Sequence, residues 1–484
     1  MFMGFFFINK IWDRYTSLRH CNRPWASLKY MSWKLTYIVN YLLKIIVSLH
    51  MSNIISYEQF DCCPVCGSKH YTIGSEHKEM LQMLPMKAQD IAQQDIVKFT
   101  PALCENCGLS FNLEGLSNHS RGIIYKNYQF LKPSTGVGAA NYVTFINEVR
   151  KHLKSKDDAV IEIGGYDGYL LRELSKDGYH DLTLIDPSVQ TDDDDTALQK
   201  IVSINGFFPS DDPVYKSRHA NKEVQGSCIE HNALRRYKVV AAKDVLQMID
   251  DPLGFIKGMN DIMELGGIAV LTSVPLHTMH SLQCVHLGIN AYTYIAQQCG
   301  FTLIDTYKRP ENGYVVYVLR KDVDLIEDAD KAKEFAKIAQ RSADDFQKEQ
   351  QLQRELIKTN GQFGQKAAAY LKSVVKPYVE QGQEIVIYGT GFYSFCILDT
   401  LNLDMSKTKL TLVNSSQEQD GFLFMLPSRE TIAVHYAKRE LSNRHIPLLI
   451  LGIMSPLFKA EIESFLKEIN CSCDQIIYLP DHDA

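Results

Sequence analysis

Between positions 158 and 320 short apolar runs alternate with segments whose apolar residues recur every three to four positions. The strand candidates are "AVIEIG", "DLTLID", "YKVVAAKD", "GGIAVLTSV", "FTLIDTYK" and "GYVVYVLR". The first four are nearly continuous in apolar character, as parallel strands covered on both faces are. Alternation of such strands with helical patterns predicts an α/β fold built on a doubly wound sheet. The last two runs leave little room for a helix between them and carry Asn312 and Gly313 at their junction, which predicts an antiparallel hairpin at the sheet edge. A polar stretch over 209–236 reads as a surface insertion. Residues 322–383 are charged and helix-favouring with loose three-to-four spacing, which predicts a solvated helical connector without chemistry. A second alternating region, "EIVIYGTG", "KLTLVN", "PLLILG" and "QIIYLP", predicts a smaller Rossmann-like domain over 384–484.

A chain of 484 residues is too long for one ordinary core and calls for several domains. With 45% hydrophobic and 22% charged residues it has the composition of a soluble globular protein. The formal net charge of -6 is unevenly spread: residues 1–50 hold seven Lys/Arg against Asp13, or +6, which leaves -12 for the remainder. An acidic body gives no support to nucleic-acid binding. Trp12, Trp25 and Trp33 all fall in the basic segment, which therefore reads as an extension distinct from the body. Its most apolar stretch, "LTYIVNYLLKIIVSL", is short for a membrane span and is broken by Asn40 and Lys44. The preferred expectation is a segment upstream of a domain that starts near Met51, with a weak membrane anchor as the alternative.

Of the 12 cysteines, four form two matching turns, "CPVCG" (Cys63, Cys66) and "CENCG" (Cys104, Cys107), with 37 residues between them. Two such turns supply four thiolates for tetrahedral Zn2+; with no open ligand position the metal would be structural. A redox C-x-x-C is the competing reading, and Cys62 is a spare neighbour. The other cysteines sit mostly singly in apolar segments, the usage of a reducing compartment, so a cytoplasmic location is expected.

The stretch "VIEIGGYDGYLL" (160–171) runs from a strand into Gly164, Gly165 and Gly168 and then into a helical pattern. A dinucleotide fingerprint would read G-x-G-x-x-G; here it is E-x-G-G-x-x-G, with Glu162 at the strand end. A carboxylate there repels a pyrophosphate but suits a ligand with an ammonium or sulfonium cation. Twenty-two residues after Gly164, Asp186 ends the next strand, where a carboxylate accepts both ribose hydroxyls. The pattern favours S-adenosyl-L-methionine over NAD. Followed by "INGFF" with Phe207, "AAKDVLQMIDDP" with Asp244 and "MELGGIAVLTS", it resembles the motif order of class I methyltransferases, which implies cofactor roles for Phe207 and Asp244 as well.

From about 63 to 480 the chain is similar to the sugar C-methyltransferase family, enzymes that methylate a carbon of nucleotide-activated deoxyketosugars. The resemblance rests on the two cysteine turns, "YKNYQF", "EIGGYDG", "NGYVVYVLR", "IYGTG" and "NSSQEQDGFLFMLP". It implies a zinc domain over 51–120, a methyltransferase core over 121–321 and a C-terminal domain that shapes the sugar-nucleotide site. The family's reaction removes a proton next to a ketone, using a Tyr-x-Glu-His stretch and a tyrosine before the core. Here that stretch reads "QCVH", so Gln283 and Val285 stand where the family has Tyr and Glu, and His286 keeps its place as the implied base. Tyr128 in "KNYQF" is the implied substrate or proton-relay residue, and His277 and His280 are nearby alternatives to His286. In the terminal domain Gly389 and Gly391 are kept, while Ser394 replaces the third glycine and Asn414 an acid, which weakens a dinucleotide site. The expected partner is a small molecule, a nucleotide-sugar, without nucleic acid. An O- or N-methyltransferase of another acceptor and a catalytically silent binding protein of the same fold are the competing readings.

Overall fold

The computed structural model describes residues 56–482 apart from 83, 118–119, 121–123, 125–132, 135, 190–200, 210–235, 275, 277–278, 310–312, 339–340, 360–364 and 455. The basic extension, Tyr128, His277 and nearly all of the polar insertion lie outside the described residues. No helix among the described residues is long and apolar enough to cross a membrane.

The six apolar runs of the core become β8 (Val160–Ile163), β9 (Leu182–Asp186), β11 (Tyr237–Ala242), β12 (Met263–Ser273), β14 (Phe301–Lys308) and β15 (Val315–Lys321), and a strand outside those runs, β10 (Val202–Asn205), joins them. Among the described residues they form a seven-stranded sheet in the order β10-β9-β8-β11-β12-β15-β14. The first five are parallel, and β15 pairs antiparallel with both β12 and β14, so the expected hairpin does close one edge. The order reverses at β8 and β11, the switch point of a doubly wound sheet, where the strand ends open a crevice for a ligand.

Successive side chains of a strand point to opposite faces, and here both faces are covered. Ile161, Ile163, Val240, Ala242, Ala269 and Leu271 pack on one side with the helices α3 (Pro252–Ile262) and α4 (Ile289–Gln298). Val160, Leu182, Val239, Ala241, Ile268 and Val270 pack on the other with α1 (Val143–Lys151) and α2 (Tyr169–Lys176). This two-sided burial is why β8, β9 and β11 are continuous in apolar residues instead of alternating. The start of α3 is set locally: Asp251 caps it by accepting the Gly254 N–H at 2.8 Å, and Pro252 stands in its first turn.

The cysteine-bearing segment is woven into this core. Strands β2 (Tyr71–Ile73), β5 (Pro101–Cys104) and β6 (Leu109–Asn112) are extended by β13 (Val285–Leu287), a strand that follows β12, in the order β13-β6-β5-β2. The residues between the two cysteine turns add a hairpin of β3 (His77–Met80) and β4 (Ile96–Phe99), and β1 (Tyr57–Gln59) pairs with β7 (Glu114–Leu116). After the core come α5 (Ala329–Phe335), α6 (Ala343–Thr359) and α7 (Gln365–Glu380). The charge pattern predicts solvated helices here, but α6 buries Gln350, Gln353 and Ile357, of which Gln350 and Ile357 face the cysteine segment. Its Gln350 donates to the Cys104 carbonyl at 3.1 Å, and its Arg354 pairs with Glu105 at 2.5 and 3.0 Å.

The terminal region forms a six-stranded sheet of β16 (Glu384–Tyr388), β17 (Lys409–Asn414), β18 (Leu423–Met425), β19 (Thr431–Tyr436), β20 (His445–Leu451) and β21 (Ser472–Ile477). The order is β18-β19-β17-β16-β20-β21, parallel except for the antiparallel β18–β19 pair. The helix α8 (Phe392–Leu401) starts directly after the Gly389 to Gly391 turn at the end of β16.

Candidate functional site

At the carboxyl ends of β8, β9 and β11 lies a cavity of about 340 Å³. Its floor is the turn after β8. Gly164 has φ +74, donates its N–H to the Ile185 carbonyl at 2.8 Å, and would drive a Cβ to 2.5 Å from Val245 Cγ2. Tyr166 is also left-handed, with φ 51, and Gly168 at φ 66 hands the chain over to α2. Such a turn needs glycine where φ is positive and space is short.

Asp186 holds the turn from the neighbouring strand. Its Oδ2 accepts the Tyr166 N–H at 2.9 Å and its Oδ1 the Ser188 N–H at 2.6 Å. Burial pushes its carboxyl above the usual aspartate range in spite of these two bonds. Each oxygen of a carboxylate can accept a second hydrogen bond, and Asp186 lines the cavity, where a pair of ribose hydroxyls would need such an acceptor.

Asp244 stands at the end of β11 with φ 56. It accepts from Thr272 Oγ1 at 2.6 Å and from Lys243 Nζ at 2.6 Å, and Arg309 Nη2 lies 3.8 Å away. Burial alone would raise its carboxyl, yet Lys243 and Arg309 hold it below the usual range. Phe207 is half exposed, at 52%, on the cavity rim.

Gly164, Asp186, Phe207 and Asp244 thus converge on one cavity, whereas Glu162, Gly165 and Gly168 do not line it. Glu162 is fully buried behind the turn, and Gly165 closes over it so tightly that a Cβ would reach 2.5 Å from the carboxyl carbon. Neither carboxyl oxygen has a hydrogen-bond partner among the described residues. Burial, then the charges of Asp167 and Asp186, push its carboxyl well above the usual range, so the proton-bound form is favoured. The sequence reading gave no sign of Lys243, Asn141 or Tyr142, which also line the cavity. Only the position of Lys243 beside Asp244 could have flagged it.

A second cavity, of about 880 Å³, adjoins the first and shares Asn141 with it. It draws its walls from the segment after β12, from the β14–β15 hairpin, from α6 and from the turn before α8. His286, on β13, lies in this wall with its Nε2 2.6 Å from the Val274 carbonyl. A carbonyl only accepts, so Nε2 carries the hydrogen and the lone pair of the neutral ring is on Nδ1. His280 lines the same cavity and is 3.1 Å from the Gln283 amide nitrogen; burial lowers its imidazole to about 4 and keeps it neutral. Gln283 and Gln353 are buried there with their amide oxygens lacking partners among the described residues.

The four cysteines of the two turns also come together. Sγ of Cys63 lies 3.6 Å from that of Cys107, Sγ of Cys66 lies 3.5 Å from that of Cys104, and all four are within 4.8 Å of one another. Each turn closes by a glycine N–H, Gly67 onto Cys63 O at 2.9 Å and Gly108 onto Cys104 O at 3.0 Å, with φ of +69 and +77. Tetrahedral ligands about 2.3 Å from a zinc ion are about 3.8 Å apart, so the cage fits such an ion.

Residues 140–339 match the family model described as a methyltransferase domain. Among solved structures, the chain is similar to the CcbJ methyltransferase from Streptomyces caelestis, at 12% identity over 36% of this chain and 93% of that one, with a TM-score of 0.27. It is also similar to the glycopeptide N-methyltransferase MtfA complexed with S-adenosyl-L-methionine, at 13% identity over 37% and 93%, with a TM-score of 0.26. No curated protein matches the chain. The core is a Rossmann-like methyltransferase fold. Residues 140–339 carry a methyltransferase domain.

Proposed function

We propose that this enzyme transfers a methyl group to a carbon of a nucleotide-activated sugar. The adjoining cavities carry this reading: a cofactor-sized one at the sheet switch point, and a larger one that begins at the shared Asn141 and extends to the turn of the terminal sheet. A methyl donor alone does not need the second volume, and its buried amide groups suit a ligand rich in hydroxyls. S-adenosylmethionine supplies an activated methyl group on a cation. Gly164, Asp186, Phe207 and Asp244 would hold it, with Asp186 accepting from the ribose. In the larger cavity His286, its Nε2 fixed by Val274, is the base assigned to remove a proton next to a ketone. Zn2+ in the Cys63, Cys66, Cys104 and Cys107 cage is structural in this reading.

The test is incubation with labelled S-adenosylmethionine and a panel of nucleotide-linked deoxyketosugars, with carbon NMR of the product. A new carbon-bound methyl group supports the proposal. Methylation of oxygen or nitrogen acceptors only would assign the enzyme a different acceptor, and cofactor binding without turnover on any acceptor would favour a binding protein.

A further inference from the structure

Lys243 belongs to no part of the reading above, yet it lies in the wall of the smaller cavity beside Asp244. Its Nζ is 2.6 Å from Asp244 Oδ2 and 4.7 Å from the centre of the Tyr142 ring. An ammonium has three donors, and the bond to Asp244 uses one of them. Arg309 Nη2 lies 3.8 Å from the same Oδ2, while its Nη1 donates to the Asn141 carbonyl at 2.6 Å.

At this end of the cavity two cations therefore share one carboxylate. Glu162, the other carboxyl acting on Lys243, does not balance them, because its environment favours the proton-bound form. Burial lowers the ammonium's pKa; Asp244 opposes this, and Arg309 works against Asp244. Buried charges are stable when paired, so one negative charge is missing here. Asp186, the ribose acceptor, lies on a different strand end, so the charged pair meets another part of the cofactor.

We infer that Lys243 binds the carboxylate of the methionine end of S-adenosylmethionine, completing the charge balance of the Lys243, Asp244 and Arg309 group. The inference rests on the smaller cavity being the cofactor site. It makes Lys243 a determinant of cofactor recognition, separate from the ribose contact of Asp186.

Three probes resolve it by calorimetry: S-adenosylhomocysteine, its decarboxylated amine, and 5′-methylthioadenosine, which lacks the amino-acid end altogether. For Lys243→Met, S-adenosylhomocysteine should bind about tenfold or more weakly, the loss of one charge-assisted bond, while the other two probes bind within about twofold of the wild type. Lys243→Arg should recover part of the affinity for S-adenosylhomocysteine alone. Unchanged 5′-methylthioadenosine binding shows that the variant is folded. Equal weakening of all three probes would assign Lys243 a purely structural role and overturn the inference, as would no weakening of any. A wild type that binds none of the three overturns the cofactor reading of the cavity itself.

Discussion

Asp186→Ala separates what the carboxylate does for the protein from what it does for the ligand. On the ligand side two ribose hydroxyls would donate to an ionised acceptor. Hydrogen bonds to charged groups contribute about 1.5–3 kcal/mol each, so the pair is worth roughly 3–6 kcal/mol before water refills the vacated space. Taking about 3 kcal/mol as the net loss, the Kd for S-adenosylhomocysteine rises about a hundredfold, at about 1.4 kcal/mol per decade. On the protein side the Tyr166 and Ser188 N–H groups lose their acceptors, at about 1–3 kcal/mol for each one left buried and unmet. Removal of a buried carboxyl whose ionisation burial already opposes offsets part of this loss. A loosened turn could also weaken binding, so the measurement is a cycle. Wild type and Asp186→Ala are each titrated calorimetrically with S-adenosylhomocysteine and with its 2′,3′-dideoxy analogue. The wild type should lose about a hundredfold on going to the analogue, and the variant should hardly distinguish the two ligands. The reasoning is refuted if Asp186→Ala binds S-adenosylhomocysteine within about threefold of the wild type, or still discriminates against the analogue as the wild type does. Because the carboxyl is raised above 3.8, wild-type binding should also begin to weaken on acidification at a higher pH than an ordinary aspartate would dictate.

Three other outcomes follow from the site. Glu162 has a folded-state pKa raised above its unfolded value of about 4.5, so its contribution to stability is present below that value and lost as pH rises through the folded one. Thermal unfolding of Glu162→Gln should therefore gain on the wild type as pH rises, and a difference that stays flat with pH would contradict the burial argument. Removal of the metal by a chelator, or Cys104→Ser, should destabilise the protein by several kcal/mol with loss of stoichiometric zinc, read by metal analysis alongside the melting curve. His286→Gln should lower kcat by about 10²–10⁴-fold while leaving S-adenosylhomocysteine affinity unchanged; an unchanged kcat in a methyl-transfer assay would dismiss it as the base.

The turn after β8, the strands around it and the cysteine turns were legible because their information is local. The β8 turn, the acid at the end of β9 and the two cysteine turns are each read within a few residues, and strands buried on both faces declare themselves by composition. Glu162 shows the limit of that reading. Its place in the motif put it among the cofactor-binding residues, but Gly165 folds the carboxyl away behind the turn, a matter of backbone path that spacing cannot express. Lys243 was overlooked because a lysine at a strand end is ordinary until Arg309, 66 positions later, brings a second cation to Asp244. The larger cavity was illegible for a similar reason, since its walls come from segments as far apart as Asn141 and Phe458.

The connector helix α6 contacts both the second cysteine turn and the larger cavity. Hydrophobic periodicity described it as solvated because two of its buried positions, Gln350 and Gln353, are polar and register as surface in any apolar pattern. In the fold those two side chains do different work. Gln350 faces the second cysteine turn, donating to the Cys104 carbonyl, and with Arg354 on Glu105 it fastens the helix to the thiolate cage. Gln353 and its neighbours Glu349, Leu352 and Leu356 line the larger cavity. A helix anchored on one side by a polar clamp needs the anchor to be rigid, and a metal ion bound by the four thiolates would provide rigidity that a cluster of free cysteines does not. The cage stands far from the cofactor turn in sequence and contributes nothing to the smaller cavity's lining. Through α6 the cage would act on the larger cavity, because the same helix contacts the second cysteine turn and lines the cavity that contains His286.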